Sequence, residues 1–242
     1  MIYKTKSIVL HHIKYGDSGI IVYMYTRERG RQTFIIQGIR KKKASNKINM
    51  FQPLFLLDLE AYYKPGNEMH RIREAKNFPP YTSISNNLYK NSIILFLAEI
   101  LYKSLQTEEA NHILFDFISD SLLFLDKSRN GISNFHLLFL VKLSNYLGFH
   151  PNVTGMQEHY FFDLREGIFK PNRPNHPFFM ESRQTQILID LLNMDFDLIS
   201  TYELSYPERN IFIENMLEYY QLHELNLTPI KSFKILKEVF HI

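Results

Sequence analysis

Pro53-Leu54-Phe55-Leu56-Leu57-Asp58-Leu59-Glu60-Ala61-Tyr62-Tyr63 alternates residue by residue. Phe55, Leu57, Leu59, Ala61 and Tyr63 fall on one face and Asp58 and Glu60 on the other, the period-2 pattern of a strand with one side in a core. Working outward, Lys64-Pro65-Gly66-Asn67 reads as a turn, and Glu68–Lys76 as a further strand that puts Arg71 and Arg73 on a common face. Upstream, Ser7–Ile13, Gly19–Thr26 and Arg31–Ile39 are rich in Ile, Val, Phe and Tyr. Tyr15-Gly16-Asp17 and Arg27-Glu28-Arg29-Gly30 separate them with turn residues. Five short strands with a longer link between the third and fourth fit a small Greek-key barrel of the OB type, with an SH3-like barrel as the competitor.

Phe78-Pro79-Pro80 ends this pattern, because paired prolines stop strands and extend the chain. Beyond it the period becomes helical. Ile93, Ile94, Leu97, Ile100, Leu101 and Leu105 share one helix face. Glu108–Leu125, Asn134–Leu147, Glu181–Met194, Pro207–His223 and Ile230–Phe240 read as further helices, the second of these stopped by Gly148 and Pro151. His150–Phe179, with four prolines, is irregular, and Phe161–Phe169 within it reads as one hairpin. The expected architecture is therefore α+β and multi-domain. Residues 1–79 form a five-stranded OB-type barrel, and residues 80–242 an all-helical domain with a small irregular or hairpin insert at about 150–180.

Charge divides the chain at the same place. Residues 1–80 carry fifteen Lys/Arg against six Asp/Glu, whereas residues 81–242 carry thirteen against nineteen. A concentrated positive field attracts polyanions, and nucleic acid is the commonest large one. Its sharpest part is Arg40-Lys41-Lys42-Lys43, with Lys47 just beyond, on the link between the third and fourth strands. Arg29 and Arg31 flank the preceding hairpin, and Arg71 and Arg73 lie on the last strand. These nine cations are the candidate phosphate contacts, with tyrosines such as Tyr15, Tyr23 and Tyr63 as candidate stacking surfaces. No base-reading element stands out, so binding with little sequence preference is expected. The plainer alternative is a solvated charge run guarding an edge strand.

Several chemistries are excluded or poorly supported. Cysteine is absent, which removes disulfides, thiolate catalysis and Cys-ligated metal sites. There is no GxxxxGK, GxGxxG or GxSxG sequence. His150, His159, His176 and Asp163 share the irregular segment without a common ligand spacing, and Asp195 and Asp197 form only a short acidic link. Neither an enzyme nor a cofactor is expected. The N-terminus makes a poor signal peptide, and no uncharged apolar run approaches the ~20 residues of a membrane span, so a cytoplasmic address is expected.

Over its whole length the chain resembles the bacterial RecO recombination-mediator family. The resemblance is strongest over Tyr3–Ala75: Ser7-Ile8-Val9-Leu10, Tyr15-Gly16-Asp17-Ser18, Tyr25-Thr26-Arg27-Glu28-Arg29-Gly30-Arg31, Gly38-Ile39-Arg40-Lys41-Lys42-Lys43 and Phe51-Gln52-Pro53-Leu54. Leu147-Gly148-Phe149 with Pro151, and Lys231-Ser232-Phe233, continue it. The resemblance implies an OB barrel followed by a helical domain with a zinc-ribbon-like insert. It implies a nucleoid-associated, non-enzymatic mediator that binds single- and double-stranded DNA and anneals complementary strands. It further implies association with RecR and with the acidic C-terminal tail of single-strand-binding protein, helping RecA to load. Many members carry four cysteines in the insert; His150–Phe179 has none, so the hairpin is expected without metal. For the tail, the resemblance points to the apolar helix Asn134–Leu147, where Phe139 and Leu143 would line a pocket and Lys142 or Arg129 would receive a carboxylate. Burial of Phe139 and Leu143 as plain core is the competing expectation. The functional alternatives are an OB-fold RNA-binding module and a protein–protein adaptor with no DNA role.

Overall fold

A computed structural model describes residues 1–38, 48–106, 109–156, 160–223, 227 and 229–241. They form two compact units, Met1–Lys127 and Ser128–Ile242.

In the first unit, β1 (Ile2–Tyr15), β2 (Gly19–Thr26), β3 (Gly30–Ile36), β4 (Leu56–Tyr62) and β5 (Met69–Asn77) close into a barrel of order β1-β2-β3-β5-β4. Closure depends on the parallel β3–β5 pair (Phe34↔His70, Ile35↔Arg71); the other pairs are antiparallel. This is the OB arrangement, and the SH3-like alternative falls away. The alternation read around Pro53–Tyr63 holds: Leu57, Leu59 and Ala61 point inward with Val9, Val22, Met24 and Phe34, while Asp58 is exposed. A bulge at Leu10 shifts the register from Val9↔Met24 to His11↔Tyr23. It lets Val9 enter the barrel core while the adjacent Leu10 is also buried, in the strand against which the first helix packs. The sequence pattern shortens β1 at both ends, because its termini alternate too weakly to register.

Two helices complete this unit. α1 (Leu88–Ser104) starts at Asn87, whose side chain accepts the Lys90 N–H, and it buries the whole expected apolar face. α2 (His112–Lys127) begins four residues later than the pattern suggests, at the point where Asn111 Oδ1 accepts the Leu114 N–H. At its far end the buried Asp126 carboxylate receives the backbone N–H groups of Thr82, Ser83 and Ile84 at 2.8–3.0 Å. The chain leaving the barrel is thereby pinned to α2.

The second unit is built around α3 (Phe135–Tyr146), whose residues Phe135 to Val141 are all buried. A Schellman motif ends it: Phe149 N–H reaches Ser144 O and Gly148 N–H reaches Asn145 O, with Gly148 at φ 88. That conformation is why glycine follows the helix here. α4 (Ser182–Leu192), α5 (Tyr206–Leu222) and α6 (Ser232–His241) follow the expected segments to within one or two residues. The expected hairpin is present as β6 (Phe161–Asp163) and β7 (Ile168–Lys170), and β8 (Phe179–Met180) adds a third strand beside β6. A two-residue strand has no period, so no pattern in the chain marks it.

At the end of β6, Asp163 is fully enclosed. It accepts hydrogen bonds from the Arg165 and Glu166 N–H groups, from Lys170 Nζ at 2.8 Å, and contacts His176 Nε2 at 3.1 Å. A lysine ammonium turned into a carboxylate, with no thiolate nearby, is an ion-paired anchor and does not fit a zinc site of the kind the resemblance implies. Among the described residues, no three His, Asp or Glu side chains converge as a metal site; His159 lies outside them.

Candidate nucleic-acid interface

Arg40, Lys41, Lys42, Lys43 and Lys47 lie outside the described residues. The connection that carries them leaves β3 at its Ile36 end. The other four candidate cations are placed, and three of them engage other groups of the protein.

Arg29, on the β2–β3 turn, lays its guanidinium over the Tyr63 ring at 4.0 Å and reaches Tyr3 at 5.1 Å. A hollow of about 470 Å³ beside it is lined by Glu28, Gln32, Tyr63, Asn67 and His70. Burial raises the Tyr3 hydroxyl to about 12 despite the opposing effect of Arg29. Arg31 points to the end of α1, where Nη1 donates to Tyr102 O and Leu105 O at 2.7 Å each. A cation there adds to the capping of the carbonyl end of α1, where Tyr102 O also accepts from Gln106 Nε2 at 2.7 Å. The Arg31 guanidinium also lies 4.6 Å from the Tyr102 ring centre and 5.2 Å from that of Tyr23. Arg73 is 3.4 Å from Glu60, which also pairs with Lys4 at 2.9 Å. The Lys4 hydrogen bond is the main reason the Glu60 carboxyl sits below its ordinary range. Arg71 alone stands exposed on the outside of the barrel with no ion pair among the described residues.

Register explains the difference. On the outer face of β1, β4 and β5, Lys4 sits opposite Glu60, and Lys6 opposite Asp58, which in turn faces Lys76. Lys76 also pairs with Glu74 at 2.9 Å. That face mixes both signs, with Glu60 also opposite Glu74, and presents little net field. Where β3 pairs with the start of β5, Ile21, Tyr23, Thr33, Ile35, Met69 and Arg71 face outward and none of these six is acidic, whereas Glu74 lies further along β5 opposite Glu60. The barrel's positive excess is therefore left to the β3–β5 side and to the lysine-rich connection that leaves β3.

In the second unit, Phe139 and Leu143 have no exposed surface, so neither lines an open pocket. Close packing within α3's core, including a 6.1 Å ring contact from Phe135 to Phe139, encloses them. Lys142 lies 3.5 Å from Leu192 O and 3.8 Å from Asp195, and Arg129 is exposed. Of the four residues tied to a peptide tail, only these two cations offer surface.

Sequence reasoning missed the Asp126 and Asp163 anchors and the helix-capping task of Arg31. Each joins positions tens of residues apart in the chain or inside an irregular stretch, and no local pattern announces it.

A closed barrel of OB topology followed by helices defines the class as an OB-fold protein with a helical C-terminal region. The chain belongs to the RecO family of DNA repair proteins. The family model described as "Recombination protein O N terminal" matches residues 1–81, and "Recombination protein O C terminal" matches residues 85–155. Similar relatives are each named "DNA repair protein RecO". That of Bacteroides fragilis is 39% identical over 241 residues, covering 99% of this chain and all of the relative. That of Phocaeicola vulgatus is 38% identical over 240 residues with the same coverage, and that of Porphyromonas gingivalis 33% over 244. No helix among the described residues is long and apolar enough to cross a membrane.

Proposed function

We propose that this protein is a non-enzymatic mediator of recombinational DNA repair that binds single- and double-stranded DNA, anneals complementary strands and helps load RecA. The observation that carries this reading is full-length similarity to RecO proteins combined with a positive excess confined to the barrel. Phosphates would be met by Arg40, Lys41, Lys42, Lys43 and Lys47, and by Arg71. Arg29, Arg31 and Arg73 act mainly as barrel-building residues in this scheme. Residues 1–79 would supply DNA binding, while residues 80–242 would receive RecR and the acidic tail of single-strand-binding protein, with Arg129 and Lys142 offered to the tail's carboxylates. Its place would be the cytoplasm, on the nucleoid.

Titration with single-stranded DNA, duplex DNA and RNA of equal length at two salt concentrations tests the reading, together with an annealing assay. DNA binding that weakens with salt, and accelerated annealing without strand cleavage, is expected. A protein that binds RNA but not DNA, or neither, contradicts it; the latter result would favour the adaptor alternative.

A further inference from the structure

Three connections of the first unit border one hollow: the β2–β3 turn with Glu28 and Arg29, the β4–β5 connection with Asn67 and Glu68, and the link into α2 at Ala110. This is the open hollow of about 470 Å³ beside Arg29. The Arg29 guanidinium is half-buried and is held over Tyr63 at 4.0 Å, with Tyr3 at 5.1 Å. Ring contacts offset its charge but leave its N–H donors unused. None of them meets a hydrogen-bond acceptor or a carboxylate among the described residues. Glu28 and Glu68 line the same hollow, both exposed, and neither pairs with Arg29. The Thr5 hydroxyl donates to Glu28 Oε2 and fixes that side chain on its turn. Glu68 has no ion pair among the described residues.

We infer that this hollow binds a small diamino carboxylate of the lysine or ornithine type, its carboxylate on Arg29 and its ammonium groups on Glu28 and Glu68. Opposite charges that share a hollow without meeting are matched by a ligand that carries both signs. A guanidinium presents five donors in a rigid fork, which suits a carboxylate bound through two parallel hydrogen bonds. Among its Lys, Arg, Asp and Glu residues the hollow has one cation and two acids. A ligand with one carboxylate and two ammonium groups therefore answers each charge in turn. Polyphosphates and acid-rich peptides fit badly, because their surplus negative charge would face Glu28 and Glu68. The volume falls within the roughly 300–1,000 Å³ of small-molecule sites. This inference is independent of the DNA-binding reading, whose phosphate contacts are assigned to Arg71 and the lysine-rich connection, and it adds a small-molecule site to the barrel.

Isothermal titration calorimetry of the full chain with L-lysine, L-glutamate and cadaverine tests the site. L-Lysine should bind saturably, one per chain, with a Kd below about 1 mM. Glutamate has a surplus carboxylate and cadaverine has none, so each should bind at least about ten-fold more weakly, the value of one charge-assisted hydrogen-bonded pair. Glu68→Gln should weaken lysine binding about four-fold, as one exposed ion pair allows, and leave the melting temperature unchanged. Arg29→Gln should abolish binding. Should that protein not fold, Arg29→Lys, which keeps the charge and loses the fork, should still weaken lysine binding. Absence of saturable lysine binding, equal affinity for the three compounds, or a Glu68→Gln protein that binds lysine like the wild type overturns the inference. Displacement of bound lysine by an oligo-dT strand overturns it too, since Arg29 would then serve phosphates.

Discussion

Arg31 and Lys41 carry the same formal charge in the same basic segment, yet Arg31 has a second task, which is to close the carbonyl end of α1 at Tyr102 and Leu105. Nothing within a few residues of Arg31 announces this, because its partners lie more than seventy positions away. Arg31→Met should cost about 1.5–3 kcal/mol in urea unfolding, the value of hydrogen bonds from a charged donor. A midpoint unchanged from wild type would show the clamp to be idle. Asp126 is the carboxylate counterpart. Burial pushes its carboxyl up, but hydrogen bonds from Thr82, Ser83 and Ile84 outweigh that and hold its pKa at about 2. A carboxyl lowered on folding from the ordinary 3.8 contributes stability above that pH, and the contribution is lost as pH falls from about 4 toward 2. Asp126→Asn should therefore lower stability at pH 7 by about 1–3 kcal/mol, because buried N–H groups lose acceptors, and should flatten the decline between pH 4 and 2. Equal acid sensitivity in the two proteins would contradict the assignment.

At the scale of elements, what repeats was legible and what is built from single contacts was not. The strands around Pro53–Tyr63 and the face Ile93–Leu105 repeat often enough to be read from the chain, and Gly148 marks a helix end by a conformation that glycine adopts without strain. The hairpin Phe161–Phe169 was visible in its turn residues, whereas β8 and the Asp163 anchor were not. The candidate site was legible only in part. Which residues are charged can be read directly, but which charges are free depends on cross-strand register, as the Lys4–Glu60 and Lys6–Asp58 pairs show. The insert makes a further prediction. Burial pushes the Asp163 carboxyl up, but Lys170 and the Glu166 and Arg165 N–H groups outweigh it and hold the group below its usual range. The anchor thus takes the place of a staple. Asp163→Asn should lower the melting temperature, while a strong chelator should leave that of the wild type unchanged. Stoichiometric zinc in untagged protein, with melting on chelation, would overturn this.

For the molecule as a whole, the compact units do not follow the charge division. α1 and α2 belong with the barrel, because Ile8, Leu10 and Tyr25 are buried on strands whose inner faces already fill the core, and Tyr25 meets Phe115 of α2 at 6.4 Å. Residues 1–127 should thus unfold cooperatively as an isolated fragment, whereas residues 1–81, with that apolar surface uncovered, should aggregate or remain loosely folded by near-UV circular dichroism. A sharply folded 1–81 fragment would contradict this. The central claim, that the barrel's unmatched positive field exists to hold DNA, depends most on the lysine-rich connection. Its test is the salt dependence of single-stranded DNA binding by the Lys41→Ala/Lys42→Ala/Lys43→Ala/Lys47→Ala protein. For each phosphate that the variant no longer neutralises, the slope of log affinity against log salt should become shallower by about 0.7, with similar weakening across DNA sequences. A folded quadruple variant with the wild-type affinity and slope would contradict the account.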